Sequence, residues 1–304
     1  MLRTAMLSLA QNNQLAQAIS RNGLTKNLAL RFVAGETLNE AISTARSLNA
    51  RGMKVTLDAL GENITTEADA AAAAANYQGI IDRIVETSVD SSVSLKLTML
   101  GLDIDQEVCR RHMVSILDRA RETGTFVRID MEGSAYTQRT LDLFYDLHRI
   151  YGDLVGIVLQ SYLYRTDLDV RYAIEQGARV RLVKGAYAEP PTVAYPSKHD
   201  VDAAYRQQME RLLDAGRLPA IATHDETIIE VATSYAKRMG IGPDRFEFQM
   251  LYGVRRDLQE RLTREGYTVR IYVPFGVSWY PYFMRRMAER PANLLFVLRN
   301  LIRA

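Results

Sequence analysis

A rhythm limits what this chain can become more than any other feature. Short β-rich runs alternate with longer amphipathic stretches, eight times in succession. The runs are Lys54–Asp58, Val93–Leu97, Phe126–Asp130, Val155–Gln160, Val180–Lys184, Ala220–Thr223, Phe246–Gln249 and Val269–Val273. Between them, Gln106–Arg121 and Thr140–Ile150 carry apolar residues at helical spacing, and Ala70–Ala75 is a strong helix former. Gly124, Gly152, Gly177 and Gly266 each stand just before a strand, where a helix C-cap belongs. Strand and helix repeated eight times specify a mixed α/β fold, a parallel (β/α)₈ TIM-like barrel. A doubly wound open sheet has a similar rhythm, but no G-x-G-x-x-G follows any of the runs. The barrel is expected over residues 49–304, after an N-terminal helical segment at 1–48. It ends in a helix over Trp279–Arg290 and an extra C-terminal helix over Asn293–Ile302.

A length of 304 residues allows one large barrel domain or two smaller ones, and 47% hydrophobic with 24% charged residues is ordinary for a soluble globular protein. The net charge of +2 and the lack of a Lys/Arg run give no footprint for nucleic acid. Cys109 is the only cysteine, so disulfide frameworks, Cys-rich zinc sites and cysteinyl iron–sulfur clusters are excluded within one chain. A reducing, cytoplasmic setting is expected. Met1–Ala10 is apolar, but the polar run Gln11–Gln14 cuts it too short for a signal peptide. No apolar run is long enough to span a bilayer, which leaves peripheral contact with the inner membrane open. Oligomer formation is equally open.

In a barrel of this type the active site lies at the C-terminal strand ends, and strand interiors should be apolar. Polar residues nevertheless recur there: Asp58, Lys96, Asp130, Gln160, Arg181, Lys184, Thr223 with His224, Gln249 and Tyr272. One such residue is as easily a satisfied buried group as a functional one. Eight strands doing it together are harder to call structural, because each buried charge is costly unless paired. The four histidines, at 112, 148, 199 and 224, offer no i, i+4 pair, and no metal is expected. No G-x-S-x-G nucleophile elbow occurs. Many donors and few bases suit an anionic or heteroaromatic ligand such as a flavin with its pyrophosphate. After the eighth strand, Tyr282, Arg285, Arg286 and Glu289 share one helix face that can lean over the mouth. Taken alone, the three charged residues would read as a solvated face. With Tyr282 beside them, the arginines suit a carboxylate clamp.

The runs Val180–Tyr187 (Val-Arg-Leu-Val-Lys-Gly-Ala-Tyr), Arg270–Gly276 and Tyr282–Glu289 resemble the signature blocks of the proline dehydrogenases. Leu57–Glu62, Ser94–Leu97, Arg128–Glu132, Ala222–His224 and Phe246–Gly253 are similar to further blocks in the same order. No aldehyde-dehydrogenase-sized extension follows, as in the short monofunctional bacterial type. The resemblance implies a distorted barrel that binds FAD, oxidises L-proline to Δ¹-pyrroline-5-carboxylate and passes electrons to a quinone. It implies that Lys96, Arg285 and Arg286 hold the proline carboxylate, with Glu62 pairing Arg285 as a gate. Tyr272 and Tyr282 would shape the substrate pocket, Asp130 would stand beside it, and Arg181 would approach the flavin N5. Gln160, Val183, Lys184, Gly185, Ala186, Thr223, His224, Gln249 and Glu289 would contact the FAD. Many relatives carry Trp after the block's Tyr, where this chain has Ala188. The residues alone leave two other readings: a Schiff-base aldolase using Lys96 or Lys184, and a non-enzymatic barrel serving as an assembly partner.

Overall fold

In the computed structural model, eight parallel strands close into a barrel in sequence order, β1 pairing with both β2 and β8. The structure describes residues 30–61 and 64–289, the side chains of 285–289 excepted. The strands are β1 (Lys54–Ala59), β2 (Ser91–Leu95), β3 (Val127–Ile129), β4 (Val155–Gln160), β5 (Arg179–Val183), β6 (Ala220–Ala222), β7 (Glu247–Leu251) and β8 (Thr268–Phe275). The helices are α1 (Leu38–Asn49), α2 (Glu67–Thr87), α3 (Gln106–Thr123), α4 (Ser134–Tyr151), α5 (Thr166–Glu175), α6 (Lys198–Ala215), α7 (Glu226–Met239), α8 (Arg256–Arg264) and α9 (Trp279–Glu289). Each expected run is a strand; β4 has the expected bounds, and the other seven differ from theirs by one or two residues at an end. The largest shift is in β2, because Leu97–Leu100 winds into a 3₁₀ turn that Gly101 closes at φ 95°. The four glycines expected at helix ends all have positive φ.

Side chains alternate along the strands. Val55, Leu57, Val93, Leu95, Val180 and Leu182 are wholly buried in the apolar core. Burying such side chains contributes about 1.5–3 kcal/mol each. The alternate positions face the lumen, where the expectation of an apolar interior fails. Arg128 on β3 donates to Ile157 O on β4 and to Arg179 O on β5. Arg270 on β8 pairs with Glu247 on β7 at 3.0 Å. Arg128 reaches across because β4 carries Gly156 beside it; a Cβ there would lie 2.5 Å from its Nη1. The polar ring foreseen at the mouth thus continues to the floor.

Helix α1 starts with a reciprocal cap: Thr37 Oγ1 accepts from Glu40 N, and Glu40 Oε2 from Thr37 N at 2.9 Å. It packs on β1 and β8, closing the seam of the barrel. The segment before it runs beside the end of β8, with Ala34 N donating to Pro274 O at 2.8 Å. The helical reading of residues 1–29 and the helix expected over Asn293–Ile302 lie outside the described residues. Among the described residues no helix is long and apolar enough to cross a membrane.

Candidate active site

The strands deliver their polar ends to a cavity of about 720 Å³ at the C-terminal mouth. Its centre is Asp130, the first residue after β3. Three donors converge on its carboxylate: Ser94 Oγ at 2.6 Å, Arg181 Nη1 at 2.8 Å and Tyr272 OH at 2.8 Å. Arg181 also donates through Nε to Gln249 and through Nη1 to Ser94 at 3.1 Å, and its guanidinium lies 5.3 Å from the Tyr272 ring centroid. Side chains from β2, β7 and β8 therefore fix one ion pair between β3 and β5, whose side chains are 13% and 6% exposed. A charge pair this dry is costly on its own, and here Ser94, Tyr272 and Gln249 supply further hydrogen bonds to it.

Lys96 follows β2 and places Nζ 3.4 Å from both carboxylate oxygens of Asp58 and 3.9 Å from Asp130. Burial disfavours the Lys96 charge, but the two aspartates outweigh it and hold the ammonium above its ordinary range. Burial, then the charge on Asp130, pushes the Tyr272 phenol well above its usual value, so it remains a donor. A Schiff-base lysine needs the opposite shift, toward a neutral amine. Lys184, the other candidate nucleophile, is held between two carboxylates, Asp202 at 2.5 Å and Asp225 at 2.9 Å.

The side of the cavity formed by β4 to β7 is built for a larger ligand. Val183 ends β5 and passes into Lys184, Gly185 and Ala186, all lining the cavity. Gly185 has φ 114°, and a Cβ would lie 2.3 Å from the Tyr162 ring, so only glycine fits. Thr223 and His224 follow β6. Thr223 Oγ1 accepts from Asp225 N at 3.1 Å. His224 Nε2 accepts from Leu251 N at 2.9 Å, so the bond assigns the ring hydrogen of a neutral imidazole to Nδ1. Gln160, the last residue of β4, donates through Nε2 to Glu132 O at 2.8 Å. Tyr282 on α9 is 6% exposed and faces the cavity from the side of β8.

Thirteen residues given a site role from sequence line this cavity: Lys96, Asp130, Gln160, Arg181, Val183, Lys184, Gly185, Ala186, Thr223, His224, Gln249, Tyr272 and Tyr282. Glu62 and the side chains of Arg285, Arg286 and Glu289 lie outside the described residues. Sequence reasoning noted Asp58 without a role, and it missed Asp202 and Asp225. Asp225 directly follows the Thr223–His224 strand end, a signal that was available. Asp202 lies on α6, with nothing in its local sequence to connect it with Lys184.

The proline dehydrogenase family model matches residues 41–299. The chain is 40% identical over 303 residues to "Proline dehydrogenase 1" of Bacillus subtilis subsp. natto, covering 100% of both. It is 41% identical over 305 residues to "Proline dehydrogenase" of Deinococcus radiodurans, covering 99% of this chain and 98% of that one. Among solved structures it is similar to proline utilization A from Bdellovibrio bacteriovorus inactivated by N-propargylglycine. That match has a TM-score of 0.83 and 25% identity, and covers 95% of this chain and 36% of the longer one. A match running from the first barrel helix almost to the C-terminus, with relatives aligned end to end, places this chain in the proline dehydrogenase family.

Proposed function

We propose that the protein oxidises L-proline to Δ¹-pyrroline-5-carboxylate with noncovalently bound FAD and hands the electrons to a quinone. Family membership supports the substrate and the oxidation. The observation that carries the site is the dry Arg181–Asp130 pair at the centre of a cavity with one donor-rich side. That side fits a flavin. Gly185 lets the backbone approach closely, Lys184 supplies a donor shared with Asp202 and Asp225, and Gln160, Thr223, His224 and Gln249 supply polar groups for a heteroaromatic edge. Val183, Ala186 and Glu289 complete the proposed set. Bound FAD would supply the two-electron acceptor that these side chains lack.

The chain's own part is orientation and electrostatics. Arg181, held on three sides, offers a positive charge that cannot swing away. In the ion-pair network around it, two cations, Arg181 and Lys96, face two carboxylates, Asp58 and Asp130. A substrate carboxylate needs further positive charge, which we assign to Arg285 and Arg286, one turn after Tyr282. Lys96 would join them, and Glu62 would close over the substrate with Arg285. Tyr272 and Tyr282 would flank the proline ring. Tyr272 stays protonated and Asp130 is surrounded by donors, so neither is placed to take a proton from the amine. Proline must therefore enter with its amine neutral. We place the protein in the cytoplasm, at the inner face of the membrane when it meets its quinone.

An absorbance spectrum of the purified protein, followed by a proline-dependent dye-reduction assay, tests this reading. A flavin band released by acid precipitation, and dye reduction that requires proline, are expected. Colour that stays with the pellet contradicts the noncovalent linkage, and colourless protein contradicts the cofactor.

A further inference from the structure

The segment after β5 carries Lys184–Tyr187 into the cavity and then turns back over the surface through Glu189 to α6. Helix α4 begins 55 residues earlier in the chain, and its N-cap, Gly133, has no side chain with which to satisfy the first helical N–H groups. Glu189 does so from the other loop. Its Oε1 accepts from Ser134 N at 2.7 Å, and its Oε2 from Ser134 Oγ. Tyr162 OH donates to the same Oε1 at 3.5 Å. A carboxylate at a helix N-terminus also meets the positive end of the helix dipole. Tyr162 is the ring that a side chain at Gly185 would strike. One carboxylate thus ties together the loop that follows Asp130, the Tyr162 ring and the strap that begins at Lys184.

We propose that Glu189 is a positioning residue: a latch that holds the Gly185–Tyr187 strap in the shape that receives the cofactor. The assignment of a cofactor to the strap rests on the function proposed above, whereas the latch itself rests on the contacts just given. The test compares the natural protein with Glu189→Ala and Glu189→Gln. Chymotrypsin cleavage after the exposed Tyr187 is measured on flavin-stripped protein, and FAD affinity by quenching of flavin fluorescence. Glu189→Ala should speed cleavage and weaken FAD binding at least about tenfold, the scale of losing hydrogen bonds to a charged group. Thermal unfolding followed in parallel should show that the barrel is intact. Glu189→Gln keeps an acceptor for Ser134 N and should restore most of both properties. Unchanged cleavage and unchanged FAD affinity in Glu189→Ala overturn the latch. A global loss of stability that Glu189→Gln shares, with no selective effect at Tyr187, overturns it equally. If the natural protein binds no FAD, the cofactor reading fails while the cleavage comparison still decides the latch.

Discussion

Asp58 is 1% exposed, and Lys96 is the cation that makes this tolerable. Breaking a buried pair by removing one partner costs about 3–5 kcal/mol. The Lys96 side chain keeps 26% exposure, so the cost of Lys96→Met should fall nearer about 2 kcal/mol. The folded-state value of Lys96 is raised, so its contribution is complete below the ordinary lysine range. It is lost only as pH climbs through that raised value. Urea midpoints should therefore show a deficit in Lys96→Met that is constant around neutrality. Adding Asp58→Asn should recover part of it; a double variant as unstable as the sum of the singles would mean that the two do not interact. At Tyr272 the prediction concerns catalysis. Tyr272→Phe removes a 2.8 Å bond to Asp130 and keeps the ring over which Arg181 lies. It should lower kcat/KM for proline by about tenfold, with the flavin retained. Because neither Asp130 nor Tyr272 is free to act as base, kcat/KM should rise with pH as the proline amine loses its proton, and Tyr272→Phe should leave that profile in place. A plateau set by a protein group, abolished in the variant, would instead make Tyr272 the base.

The strand–helix alternation was legible because each element declares itself locally: period-two apolar runs, helical spacing, glycine at helix ends. Strand ends were less legible. Lys96, Asp130, Lys184 and Thr223 sit one residue beyond their strands, where the chain is already turning. The pairings were not legible at all. Lys184 meets Asp202 on α6, and Glu189 meets Ser134 on α4, contacts that only the closed barrel creates. The same holds for Gly156, an ordinary strand glycine in sequence but the gap through which Arg128 passes in the structure. Gly156→Ala should destabilise the barrel by about 1–3 kcal/mol through overpacking. Gly185→Ala, at φ 114° against Tyr162, should mainly lower flavin occupancy. Chemical denaturation and the flavin-to-protein absorbance ratio, measured on both variants, separate the two effects. A reversal of this pattern would mean that the barrel floor tolerates change and the strap is purely structural.

Across the whole molecule the lumen is polar from floor to mouth, and its stability should answer to pH accordingly. Burial alone would raise the Glu247 carboxyl, but the Arg270 charge prevails and holds it below its ordinary range. A depressed carboxyl contributes stability above its unfolded value and loses it as pH falls through the folded one. Acid should therefore weaken the barrel partly through Glu247, and the stability of Glu247→Gln should fall less steeply below about pH 4. Equal slopes in the two proteins would remove the floor pair from acid unfolding. The mouth carries the central claim, that this barrel brings L-proline to a bound flavin and grips it by its carboxylate. Rapid anaerobic mixing of the purified protein with L-proline, and separately with pyrrolidine, tests it most directly. L-proline should bleach the flavin absorption in a single turnover, and pyrrolidine, which lacks the carboxylate, should do so far more slowly. In Arg285→Ala/Arg286→Ala that preference should collapse. Equal bleaching by both amines in the natural protein, or no bleaching by proline, would contradict the account.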